Sequence, residues 1–196
     1  MSSVDYNMLI STLESTVVTE YIKEDIPAYS YQSEADLERE FIKNLQNQGY
    51  EYFSIHNEKE LIANLKDKLE KLNKLFTSIL KICYNIIFSE KEWERFFREK
   101  IANKNDSIVE KTRTIQEDYI KSFTRDDGSL VNISLINKKN IHNNFLQVIN
   151  QYEEEGGNHN TRYDVSILVN GLPLIHIELK RRGVAIREAF NQINRY

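Results

Sequence analysis

The chain has 196 residues, 40% of them hydrophobic and 29% charged, with a formal net charge of −4. Such a composition supports a packed core, and its acidic balance excludes a DNA-binding surface spread over the whole sequence. The single cysteine, Cys83, excludes an internal disulfide and fits a reducing, cytoplasmic setting. Tyrosine (11) and phenylalanine (9) are abundant, while Pro (2) and Gly (6) are scarce, so the chain should be built of long elements with few tight turns. The amino-terminal MSSVDYNMLI lacks the basic-then-apolar pattern of a signal peptide. The longest apolar run, Leu75 to Phe88, carries Lys81 and Asn85 and is too short to span a bilayer.

In chain order, residues 1 to 29 read as an irregular extension, with a short helix or strand around Val17 to Ile22. The main domain is expected from residue 30 to 196. Ser33 is the expected N-cap of a helix with Glu34 and Asp36 in its first turn. Leu37, Phe41 and Leu45 supply the buried stripe, and Gly49 ends the helix. Tyr50 to His56 alternates and predicts a strand. Asn57 to Leu75 carries Leu61, Leu65, Leu69 and Leu72 at helical spacing. Leu75 to Phe88 fits a buried strand or a helix, and it resembles an insertion. Cys83 within it reads as a packed thiol, since burial would suppress the thiolate. Ser89 caps a helix to Asn103 whose Trp93, Phe96, Phe97 and Ile101 are expected in the core. Ser107 to Phe123 passes from helix to strand, Asp126-Asp127-Gly128 turns, and Leu130 to Ile136 and Phe145 to Tyr152 are strands. Glu153 to Asn160 is a polar loop with solvated acids. The four histidines (56, 142, 159, 176) show no zinc spacing.

The chemistry concentrates in Tyr163 to Tyr196. Asp164 opens an apolar run to Val169, Asn170-Gly171 signals a turn, and a second run from Leu172 ends in Glu178-Leu179-Lys180. Val165, Ile167 and Val169 share one face with Ile175, Ile177 and Leu179; Asp164 and Ser166 have the other parity, as do His176, Glu178 and Lys180. A two-residue loop would set Asp164 against Ile177. An odd-length loop, such as a three-residue turn with Gly171 in the left-handed region, brings Asp164, Glu178 and Lys180 to one face, and that arrangement is expected. The alternative buries Glu178 and Lys180 in the apolar face, which costs several kcal/mol unless they are paired. Two carboxylates at strand ends beside a lysine suit a hard divalent cation such as magnesium. An ordinary hairpin with solvated charges has the same short pattern. Beyond it, Gly183 breaks the strand, and Ala185, Ala189, Gln192 and Tyr196 form one helical stripe. From His176 to the end, Lys180, Arg181, Arg182, Arg187 and Arg195 outweigh Glu178 and Glu188. That local positive charge is where a phosphate backbone would lie.

Asp164…Glu178-Leu179-Lys180 resembles the PD-(D/E)xK nuclease signature, with Tyr163 where a proline often precedes the acid. Gln192 and Tyr196 match the Gln-x-x-x-Tyr motif of its RecB-like branch. SYQSEADLEREFIKNLQNQGYEY, KTRTIQEDYI and the hairpin-helix text together resemble the amino-terminal part of the R subunit of type I restriction enzymes, in particular the IC branch. The resemblance implies an α/β (α+β) restriction-endonuclease-like core, a central mixed sheet flanked by helices. It implies Asp164, Glu178 and Lys180 as catalytic, with Mg²⁺ (or Mn²⁺) on Asp164, Glu178 and the Leu179 backbone. It implies that Gln192 and Tyr196, with Arg181, Arg182 and Arg187, position double-stranded DNA. A helix before the sheet lends a further acid in such folds, here Glu34 or Glu38. The sequence contains no GxxxxGK[ST] loop. The resemblance therefore implies that ATP is used by helicase-like motor domains after Tyr196, with methyltransferase and specificity subunits as partners and no membrane. A non-catalytic docking module and a free-standing RecB-like repair nuclease are the alternatives.

Overall fold

The computed structural model describes residues 5–11, 17–22, 33–79, 87–103, 105–154, 161–180, 187 and 190–191. Two units divide the chain after Gln32. In the first, β1 (Asp5–Ser11) pairs antiparallel with β2 (Val17–Ile22). A strand at Val17 to Ile22 was one of two expectations there; its partner β1 replaces the irregular chain expected before it.

In the second unit, α1 (Glu34–Asn47) starts at Ser33, whose hydroxyl accepts from the Asp36 N–H while the Asp36 carboxylate answers the Ser33 N–H. This reciprocal cap satisfies donors that the first helical turn leaves open. Gly49 follows the helix at φ +95. The strand expected over Tyr50 to His56 is cut to β3 (Glu51–Tyr52), two residues that pair parallel with a later strand. α2 (Glu58–Ile79) runs into the apolar stretch as a helix; residues 80 to 86 of that stretch, with Cys83, lie outside the described residues. Ser89 and Ser107 repeat the capping box at α3 (Glu90–Phe96) and α4 (Ile108–Gln116), and α3 passes into a π-helical turn over Phe97–Ile101. β4 (Ile120–Thr124) and β5 (Leu130–Ser134) form a hairpin of their own.

The main sheet adds β6 (Leu146–Glu154), β7 (Thr161–Val169) and β8 (Leu172–Ile177) in the order β3-β6-β7-β8. β3 is parallel to β6 and the other pairs are antiparallel, so the sheet is mixed, as expected. Helices flank it, giving an α+β core. One face carries Val148, Val165 and Ile167 against Leu45, Phe41 and Ile42 of α1, joined by Ile177 and Leu179. Another cluster holds Ile149, Tyr152, Tyr163 and Leu168 with Leu61 of α2. The largest cluster packs Leu65 and Leu69 of α2 on Phe88, Trp93, Phe96, Phe123, Ile133 and Leu172. Among the described residues no helix is long and apolar enough to cross a membrane.

Candidate active site

The hairpin β7–β8 turns through Asn170 (φ +53) and Gly171 (φ +84), a two-residue loop with Val169 opposite Leu172. The three-residue turn expected from parity is therefore absent. Parity is corrected further along: Ile167 faces Ile175 but Leu168 faces Pro173, so Leu174 is an extra residue on β8. This bulge does the work assigned to the odd loop. It sets Val165 opposite Ile177, and one step further Asp164 opposite Glu178. A bulge beside Pro173 is physically reasonable, since proline has no N–H to give to a ladder.

Asp164 is half-buried near the start of β7, and Glu178, Leu179 and Lys180, also half-buried, follow β8 directly. The Leu179 N–H donates to Asp164 Oδ2 at 2.9 Å. The first acid is thus tied to the backbone between the second acid and the lysine. Leu179 anchors that segment in the cluster with Val165 and Ile167, and one carboxylate oxygen of Glu178 is sealed from solvent. Of the two helix acids, Glu34 is exposed in the first turn of α1. Glu38, one turn on, reaches β6: Asn150 Nδ2 donates to its Oε1 at 2.5 Å and Gln151 Nε2 to its Oε2 at 2.6 Å. Asn150 faces Val165 and Tyr152 faces Tyr163, so Gln151 lies across from Asp164, with a positive φ of 52. The strand alternation slips at this point. Tyr163 packs with Leu168, whereas Val165 packs with Ile167 on the α1 face.

Arg187 is exposed in helical backbone. Arg181, Arg182, Gln192 and Tyr196 lie outside the described residues. His176 stacks on Tyr163 at 4.1 Å between ring centroids, and its Nδ1 lies 2.8 Å from Ser166 Oγ. Both line a cavity of about 520 Å³ under α2 with Tyr152, Leu61 and Leu65. Trp93 and Phe96 are buried in the core. Asn150 and Gln151 escaped the sequence reading. Their signal was two consecutive amides interrupting the alternation after Val148-Ile149.

The residues 31–196 match the family described as the N terminus of the type I restriction enzyme R protein. The type I restriction enzyme EcoprrI endonuclease subunit of Escherichia coli is 52% identical over 168 residues, 85% of this chain and 50% of that protein. The SauMSSORF170P endonuclease subunit of Staphylococcus aureus (strain MSSA476) is 39% identical over 85% of this chain and 17% of its own length. A putative endonuclease subunit, MjaVIIIP of Methanocaldococcus jannaschii, is 33% identical over 52% of this chain and 12% of its own. The chain thus spans half or less of these relatives. It belongs to the type I restriction enzyme R protein family, of which it carries the N-terminal region.

Proposed function

We propose that this chain is the nuclease domain of the R subunit of a type I restriction-modification enzyme, hydrolysing phosphodiester bonds of double-stranded DNA at Asp164, Glu178 and Lys180. The observation that carries the reading is the hydrogen bond from the Leu179 N–H to the Asp164 carboxylate. It joins the acid on one strand to the Glu-x-Lys segment on the next, which sequence similarity alone leaves far apart.

The oxygen-only donor set of Asp164, Glu178 and the Leu179 carbonyl fits a hard divalent cation. Among the described residues no three His, Cys, Asp or Glu side chains converge. Mg²⁺ (or Mn²⁺) takes one or two carboxylates and keeps several waters. Bound there, the ion supplies polarisation of a phosphate oxygen and a more acidic water. The Lys180 ammonium holds the attacking water or stabilises negative charge developing on the phosphate. Arg181, Arg182 and Arg187, which follow Lys180 closely in sequence, favour the DNA phosphates. Gln192 and Tyr196 position the duplex. ATP-driven translocation belongs to downstream motor domains, and methylation and sequence specificity to partner subunits.

The test uses the full-length subunit in its complex. Asp164→Ala and Glu178→Ala should abolish cleavage while ATP hydrolysis and movement on DNA continue. Lys180→Ala should lose cleavage and keep metal binding. Cleavage at the normal rate by Asp164→Ala would show the site to be misassigned. Loss of ATPase together with cleavage, in folded protein, would favour a docking module.

A further inference from the structure

We propose that the cavity beneath α2 is a base subsite, which takes a nucleobase of the DNA strand beside the cut phosphate and stacks it on His176; the proposal rests on the nuclease reading. Ser166 and His176 face each other across the β7–β8 ladder, two residues after Asp164 and two residues before Glu178. At about 3.3 Å per strand residue, that is roughly 7 Å from the acids. A phosphodiester held at the acids therefore has a neighbouring base within reach of the imidazole. Extruding that base costs stacking and pairing energy, which stacking on a protein ring offsets.

The lining has the chemistry of such a site. Tyr152, Tyr163 and His176 form a column of rings, with centroids 6.3 Å and then 4.1 Å apart and interplanar angles of 20° and 21°. Both tyrosines are buried and the histidine is exposed, so the column opens to solvent at the imidazole. Ser166, itself 1% exposed, sets its Oγ 2.8 Å from His176 Nδ1 and fixes the rotation of that ring. Leu61, Ile62 and Leu65 of α2 supply an apolar wall. Among the described residues the lining holds no lysine or arginine, and its one carboxylate is the exposed Glu58. A phosphate is disfavoured there, whereas an uncharged ring with amino groups on its edge suits an apolar slot beside a carboxylate. The space, about 520 Å³, lies within the range of about 300–1,000 Å³ usual for ligand pockets. The backbone gives a second, independent sign. Phe97 and Ile101, which also line the cavity, are the two ends of the π-helical turn that follows α3. Such turns are rare and concentrate at functional sites.

The test uses the full-length subunit in its complex. The readouts are the cleavage rate, the bases beside the cuts read by sequencing the product ends, Mn²⁺ binding by titration calorimetry, and thermal unfolding. His176→Ala should slow cleavage about tenfold or more and change the base composition beside the cuts, with Mn²⁺ binding and melting temperature unchanged. His176→Phe keeps an aromatic platform without the bond to Ser166, and should keep most of the rate. Ile62→Phe fills the cavity from α2 and should slow cleavage in similar measure, although it touches neither acid. Cleavage by His176→Ala at the normal rate and with unchanged ends would overturn the proposal. An equal loss in His176→Phe would also overturn it, by leaving the hydrogen bond to Ser166 as the whole role of the ring. Quenching of 2-aminopurine riboside by the subunit without DNA, together with normal cleavage by His176→Ala, would assign the cavity to a free nucleoside and overturn it likewise. If Asp164→Ala is inactive and His176→Ala cleaves normally, only this proposal falls. If Asp164→Ala cleaves normally, the nuclease reading itself falls.

Discussion

The turn of the site hairpin offers the most direct test of how the fold holds Asp164 and Glu178 in register. Gly171 sits at φ +84, and a Cβ built there would lie 2.6 Å from the Leu65 Cα and 3.0 Å from the Leu65 nitrogen. Those are backbone atoms of α2 and cannot rotate away. Gly128, in the β4–β5 turn, has nearly the same φ of +83 and nothing within 4 Å of the added atom. Gly128→Ala therefore carries only the left-handed penalty, about 1 kcal/mol. Gly171→Ala carries that penalty and the displacement of a helix from a sheet, an overpacking cost of about 1–3 kcal/mol more. The pair should be compared by urea unfolding, with Gly171→Ala losing about 2–4 kcal/mol and Gly128→Ala about 1. The buried turn has little room to yield: Asn170 is fully buried, its amide donating to the Leu135 carbonyl and to Asn144 Oδ1 while its oxygen accepts from the Phe145 N–H. Equal losses in the two variants would refute the claim that α2 rests directly on the turn and sets the height of the hairpin.

Two further outcomes can be measured on purified protein. Glu92 is 4% exposed, and hydrogen bonds from the Arg125 guanidinium, partly offset by burial, hold its pKa at about 2 rather than the ordinary 4.5. Its contribution to stability should be complete above about pH 4.5 and lost as pH falls toward 2, so Glu92→Gln should cost on the order of 2 kcal/mol at neutral pH and flatten that acid limb in unfolding titrations. Tyr196→Ala and Gln192→Ala should reduce cleavage more than they reduce melting temperature; a sharp fall in melting temperature, with activity lost only in proportion to unfolding, would make the two residues part of the core.

Local features were legible where the physics is local. Ser33 and Ser89 were legible as N-caps, while the cap at Ser107 went unread although it has the same Ser-x-x-acid text, in which hydroxyl and acid serve one helical turn. Leucines at helical spacing marked α2, and Asn-Gly marked a turn, although a three-residue loop was expected where the chain uses a two-residue one with positive φ at both positions. Register was harder. Parity alone said that Asp164 and Glu178 meet only if one residue is added to the hairpin, and it could not say where. The residue was sought in the loop, whereas it is Leu174, beside Pro173. Strand length failed at Tyr50 to His56, where β3 keeps only two paired residues although Ile55 is buried. Alternation records burial, and Ile55 is buried in the cluster with Ile149 and Tyr152, while beyond β3 only isolated backbone bonds, from the Phe53 N–H to the Val148 carbonyl and from the Glu153 N–H to the His56 carbonyl, continue toward β6. The Glu38 clamp was illegible for another reason. Its partners lie 112 and 113 residues away in sequence, and no local pattern encodes a contact of that span.

The irregularities of the sheet gather around one residue. On one side of β7, Gln151 departs from strand geometry opposite Asp164; on the other, β8 carries its extra residue at Leu174. Without the bulge, the two-residue turn would pair Asp164 with Ile177 and send Glu178 out of register. Without the kink at Gln151, alternation would let only one of Asn150 and Gln151 reach α1. Each distortion interrupts regular ladder geometry, which a sheet selected for stability alone has no reason to contain. The regular parts explain why the domain folds: a helix seated on a glycine turn, and Val165 and Ile167 packed under α1. The irregular parts explain why Asp164 meets the Glu178-Leu179-Lys180 segment and why Glu38 of α1 is held by two successive residues of β6.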